Sequence, residues 1–230
     1  MKLIIGLGNP GAEYDKTRHN FGFAAVEFFA GKFGATWNFA KKFDAAIAEI
    51  DAGASAPDSF REPPQLSRDS RHKPANNNVI IREKILLAKP QTFYNLSGEC
   101  AQKIAKFYKI STENILVIHD ELDLPLGVLR ARQGGRDAGN NGVKNLIANL
   151  GGDGFSRIRI GSGIVREKPE NSQNLELRDG KARPDSDFRD YVLAKISRDE
   201  AEIFADELPI ISQIILDFAN GEFRETTYKI

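Results

Sequence analysis

Apolar runs and helical periodicities alternate along the chain. Leu3 to Leu7 is a continuous apolar run that ends among glycines and a proline, the pattern of a strand covered on both faces. Phe21 to Phe33 repeats apolar residues at helical spacing, with Phe21, Ala25, Phe28 and Phe29 on one face. Phe43 to Ile50 has strand character, and Asn78 to Ile81 with Lys84 to Ala88 reads as a hairpin around Arg82-Glu83. A helix follows from Gly98 to Tyr108, then a short buried strand, Ile115 to Ile118, that ends in His119-Asp120-Glu121. Val128 to Arg132 and Phe155 to Ile160 alternate, which puts Arg130 and Arg132 together on one side and likewise Arg157 and Arg159. Helices are expected from Val143 to Leu150 and from about Asp199. The capping-box pair Ser197 and Glu200 opens the last one, and Pro209 predicts a break or kink in it. Strands and helices interleave, so the expected fold is α/β with a mixed sheet in a single domain spanning 1–230. The stretches 53–78 and 167–186 are polar, contain proline and lack periodicity; they read as irregular insertions.

Gly6, Gly8 and Gly11 satisfy the dinucleotide pattern G-x-G-x-x-G, but the surroundings do not. That motif needs a helix starting inside it, with free N–H groups facing a pyrophosphate. Pro10 removes one N–H and disfavours helix at Asn9, and the acidic residue expected further on could only be Glu27, which sits in a helical pattern. The glycines are therefore assigned to geometry, a sharp turn that carries the chain from the strand into the polar loop ending at His19.

The 230 residues carry 32 basic and 32 acidic side chains, so zero net charge argues against a general nucleic-acid binder. The distribution adds something: cations concentrate between Arg130 and Lys168, while the tail beyond Asp199 is acidic. Such asymmetry suggests a positive face for a phosphate-bearing partner. One cysteine, Cys100, excludes disulfides within the chain and suggests a reducing compartment. No signal peptide is expected ahead of the first strand and no apolar run nears membrane-spanning length, so the expected location is the cytoplasm.

Of three histidines, His72 lies in the first insertion and His119 follows an apolar strand as a packed residue would. His19 lies in a polar loop beside Arg18 and Asn20, and an imidazole suits proton transfer near neutral pH. It needs a carboxylate partner; Asp120 is the candidate, with Glu121 and Asp123 in reserve, because strand ends converge on one rim of a sheet. Asn9, Asn95 and Asn141 read either as turn and helix caps or as a neutral cluster for substrate and a developing oxyanion. There is no G-x-S-x-G elbow and no metal-site spacing of Cys and His, so a hydrolase here would activate water.

Taken together, Gly6-Leu7-Gly8-Asn9-Pro10-Gly11 with Tyr14 and Thr17-Arg18-His19-Asn20 resembles the opening of bacterial-type peptidyl-tRNA hydrolases. Lys89-Pro90-Gln91-Thr92-Phe93-Tyr94-Asn95-Leu96-Ser97-Gly98, Ile118-His119-Asp120-Glu121-Leu122-Asp123-Leu124-Pro125, Asn141-Gly142-Val143-Lys144 and Arg157-Ile158-Arg159-Ile160-Gly161 continue it in order. The resemblance implies a twisted mixed sheet flanked by helices in a monomer without cofactor or obligate protein partner. It implies hydrolysis of the ester between a peptide and the 3′ ribose of tRNA. On it, His19 is the base, Asp120 its partner and Asn9 the sensor of a blocked amino group. Tyr14, Phe93, Asn95 and Asn141 match substrate-contacting positions, and Arg130, Arg132 and Arg159 fall where the family places cations for tRNA phosphates. Two departures stand out: Asn140 replaces a histidine beside the site, and Tyr94 a usual methionine. Plant organellar intron-splicing factors resemble the same fold and hold RNA without hydrolysis; a base–carboxylate pair favours the enzyme.

Overall fold

A computed structural model of the chain describes residues 1–55, 80–163 and 185–230, with side chains from 189 onward in the last segment. Eight strands form one mixed sheet in the order β2-β3-β4-β1-β5-β7-β6-β8. They are β1 (Lys2–Gly6), β2 (Asn38–Ala40), β3 (Ala45–Ile50), β4 (Ile85–Pro90), β5 (Ile115–Pro125), β6 (Val128–Gln133), β7 (Ser156–Gly163) and β8 (Thr226–Lys229). The helices are α1 (Phe21–Lys32), α2 (Ser97–Tyr108), α3 (Asn141–Leu150), α4 (Asp185–Leu193) and α5 (Arg198–Ala219).

The parallel block β4-β1-β5-β7 forms the centre, and its runs Leu3–Ile5, Ile85–Ala88 and Ile115–Ile118 are apolar because both faces are covered there. Helices α1 and α5 pack on Ile4, Leu87, Ile118 and Ile160; α2 and α3 pack on Leu3, Ile5, Leu86 and Val117 of the opposite face. The chain leaves β1 towards one face and the neighbouring β4 towards the other. The carboxyl ends of these strands, where the chain parts to opposite faces, are the usual position for a site in such sheets.

The glycines of the first turn serve close packing. A Cβ on Gly8 would run into the Phe23 ring, and one on Gly6 into the Gly22 carbonyl and Val26. Gly22 is tighter still, its absent Cβ facing the Leu7 and Ile118 carbonyl oxygens, while Phe23 N–H donates to the Leu7 carbonyl at 3.2 Å. Gly22→Ala must push α1 off the sheet. It is expected to cost about 1–3 kcal/mol or more, seen as a fall of about 2–4 °C in Tm per kcal/mol for a chain of this size. An unchanged melting curve would contradict the close approach.

Three expectations need correction. The hairpin does not form: β4 uses one edge for β1 and the other for β3, so Ile80 makes only an isolated bridge with Ser55. Strand β5 does not end at Ile118 but runs to Pro125, because β7 continues to pair with it through Glu121↔Gly161 and, past an irregularity, Pro125↔Gly163. Helix α5 opens on the expected capping box, and of the break or kink expected at Pro209 the break is absent, since the helix continues to Ala219. Most of 53–78 and 167–186 lies outside the described residues, as does His72; Asp185 and Ser186 belong to α4. No helix among the described residues is long and apolar enough to cross a membrane.

Candidate active site

His19 is placed by a loop tied down at both ends. After β1 the chain makes two short 3-10 turns, Ala12–Tyr14 and Arg18–Asn20, and enters α1 directly. The Asn20 side chain grips the Asn9 backbone at two points, accepting from its N–H at 2.8 Å and donating to its carbonyl at 3.1 Å. Buried Arg18 pairs with Glu200, donates to the Tyr191 carbonyl at 3.0 Å and stacks 4.0 Å from the Tyr191 ring centre. Lys195 adds donations to the carbonyls of Ala12, Glu13 and Asp15. The segment joining α4 to α5 thus fastens the His19 loop from outside.

The imidazole meets its carboxylate. His19 Nδ1 lies 2.9 Å from Asp120 Oδ2, although the two residues are 101 positions apart. Strand β1 ends at Gly6 opposite Ile118, so Asp120 projects just past it onto the rim. Asp120 also accepts the Tyr94 hydroxyl at 2.6 Å on Oδ1. Burial alone would raise the Asp120 carboxyl, but the adjacent His19 and the hydrogen bonds from His19 and Tyr94 hold it below the usual carboxylate range. An ionised carboxylate only accepts, so the Nδ1 facing it carries the proton and Nε2 keeps a lone pair. A fifth of the His19 side chain is exposed on the rim.

Tyr94, from the 3-10 turn Tyr94–Leu96 that precedes α2, joins these parts. Its ring lies flat on His19, centroids 3.8 Å apart and planes within 4°. Its backbone N–H donates to Asn9 Oδ1 at 2.8 Å, and its hydroxyl accepts from Asn140 Nδ2 at 2.9 Å. Phe93 before it has φ 61°, rare for a residue with a Cβ, and presents an exposed ring edge-on to Tyr14 at 6.3 Å. Asn95 and Asn141 are exposed on the 3-10 turn and the first turn of α3. The α3 cap is Asn140 and not Asn141, its Oδ1 accepting from Val143 N–H. His119 is buried, with Nδ1 donating to the Asp120 carbonyl at 2.7 Å, and burial lowers its affinity for a proton.

The arginines form one patch on the α3 side of the sheet. Antiparallel pairing sets Arg130 opposite Arg159 and Arg132 opposite Arg157. Arg157 is buried and ties down the carbonyls of Gly134, Gly135 and Arg136. Arg159 spends its charge on Glu121, at 2.9 and 2.7 Å. Among the described residues Arg132 binds uncharged oxygens, of Ala131, Thr226 and Thr227, and no carboxylate.

The structure therefore unites Asn9, His19 and Asp120 on the rim, sets Tyr14 and Phe93 side by side, and gathers the arginines on the α3 side of the sheet. Sequence reasoning missed Asn20 as a member of the site and took Tyr94 and Asn140 only as departures. The signal for Tyr94 was its standing where methionine is usual.

The family described as peptidyl-tRNA hydrolase matches residues 3–230. The chain is 31% identical over 229 residues to the peptidyl-tRNA hydrolase of a Clostridium perfringens strain, spanning 100% of this chain and 96% of that protein. It is 38% identical over 223 residues to that of Chlorobium phaeovibrioides, spanning 96% and 93%. The crystal structure of peptidyl-tRNA hydrolase from Acinetobacter baumannii superposes with a TM-score of 0.72 at 28% identity, covering 96% of this chain and 90% of that one.

Proposed function

Because this chain belongs to the peptidyl-tRNA hydrolase family, we propose that it hydrolyses the ester joining a peptide to the 3′ ribose of tRNA, with His19 as the base that activates water. The observation that carries this reading is the 2.9 Å contact between His19 Nδ1 and Asp120 on the sheet rim.

In the proposed reaction, His19 Nε2 takes a proton from water as the oxygen attacks the ester carbonyl carbon. The Asp120 carboxylate balances the imidazolium that forms. Collapse of the tetrahedral intermediate breaks the bond to the 3′ oxygen, and the imidazolium returns the proton to that oxygen. Asn9 Oδ1 already accepts from Tyr94, so the Asn9 amide acts as a donor through Nδ2. Donation to the acyl carbonyl on a blocked amino group would favour peptidyl-tRNA, since aminoacyl-tRNA lacks that carbonyl. Tyr14 and Phe93 offer apolar contact, Asn95 and Asn141 donors and acceptors for the peptide backbone or the ester. Arg130, Arg132 and Arg159 would face tRNA phosphates, and the protein would act as a cytoplasmic monomer without cofactor.

Wild-type protein is expected to release labelled N-acetylamino acid from N-acetylaminoacyl-tRNA over many turnovers. Protein that binds the tRNA but releases nothing would overturn the reading. Among the described residues Arg132 meets no carboxylate, so Arg132→Ala should weaken tRNA binding and reduce the slope of log affinity against log salt by about one. A slope equal to wild type across a salt series would count against the patch.

A further inference from the structure

We propose that Tyr94 is a positioning residue whose hydroxyl, fixed by Asn140, sets both the charge that Asp120 turns towards His19 and the plane of the imidazole. The proposal deepens the reading of His19 as the base and rests on it.

The direction of each hydrogen bond follows from helix α3. As its N-cap, Asn140 commits Oδ1 to the Val143 N–H at 3.1 Å, which turns Nδ2 to the Tyr94 hydroxyl at 2.9 Å. The hydroxyl oxygen thus accepts from Asn140, and its own proton goes to Asp120 Oδ1 at 2.6 Å. Burial and the neighbouring Asp120 charge keep the phenol protonated. Gly142 gives the ring its place, since a Cβ there would lie 2.6 Å from Tyr94 Cε1.

An aromatic residue that only filled space would need no such chain. Here the phenol draws on the same carboxylate that balances His19, so less negative charge is left on Oδ2. The imidazolium that forms in the reaction is therefore stabilised less than it would be beside a carboxylate without that donor. The parallel stack blocks the ring from tilting, and the Tyr94 N–H holds Asn9 in the same arrangement. One side chain therefore couples the base, its carboxylate and the residue assigned to substrate selection.

The test is Tyr94→Phe in the full chain, which keeps the stack and removes only the hydroxyl. The His19 ring proton signal, identified by its loss in His19→Ala, is followed by NMR across pH. Its midpoint should rise by about 0.3–1 pH unit, a two- to tenfold gain in proton affinity, and the acid limb of kcat/KM should move upward with it. Asn140→Ser keeps a capping oxygen and loses the amide donor; it should shift the midpoint the same way by a smaller amount. A midpoint that is unchanged or lowered in Tyr94→Phe, with the fold retained by its melting curve, overturns the proposal. The NMR titration needs no turnover, so an inactive wild type would defeat the assigned reaction without touching this result.

Discussion

Asp120→Asn is expected to lower kcat/KM by about 10²–10⁴ with little change in fold or tRNA affinity. The reason lies in which atom of the new amide faces which neighbour. Tyr94 already accepts from Asn140 and aims its own proton at position 120, so the amide oxygen settles there. The amide nitrogen is left facing His19 Nδ1, where the carboxylate had accepted at 2.9 Å. A donor at that place forces Nδ1 to accept and moves the imidazole proton to Nε2. The nitrogen on the rim then has no lone pair for water. Steady-state rates and melting curves of the variant check this directly. Activity within a few-fold of wild type would mean that Asp120 does not fix the tautomer.

Much of the fold was legible where local pattern decides it. The apolar run ending in glycine gave β1, and the helical spacing of Phe21, Ala25 and Phe29 gave α1. The alternation of Arg130 with Arg132, and of Arg157 with Arg159, anticipated one shared face. Local pattern failed where two edges of a strand compete for partners. The residues around Ile81 look like half of a hairpin, but β3 and β1 take both edges of β4. Likewise the polar run after Ile118 looks like a loop, yet pairing with β7 keeps it extended.

The candidate site was legible in part for the same reason. His19 and Asp120 were found because each follows an apolar run and strand ends share a rim, although Asp120 lies within β5 and reaches the rim because β1 stops at Gly6. Tyr94 stood out only as a departure from a usual methionine, because its hydroxyl meets segments 26 and 46 residues away that no local pattern links to it. Arg18 sits in a polar loop but is held by Glu200 at a separation of 182, a pairing no spacing reveals. The charge of Arg159 is spent on Glu121 through cross-strand neighbours of β5 and β7, so equal-looking arginines differ in what they can offer phosphate. Glycine was more informative than its motif: Gly6, Gly8 and Gly22 bring β1 and α1 into contact and so deliver His19 to the rim.

The most direct test of the central claim is the single-turnover rate of ester cleavage in N-acetylaminoacyl-tRNA by His19→Ala, at saturating enzyme and neutral pH. Saturation removes any difference in tRNA binding, so the rate reports the chemical step alone. The account predicts a fall of about 10²–10⁴, the contribution of a positioned general base, with the melting temperature close to wild type. Cleavage at the wild-type rate would show that His19 is not the base, and the role assigned to Asp120 would fall with it.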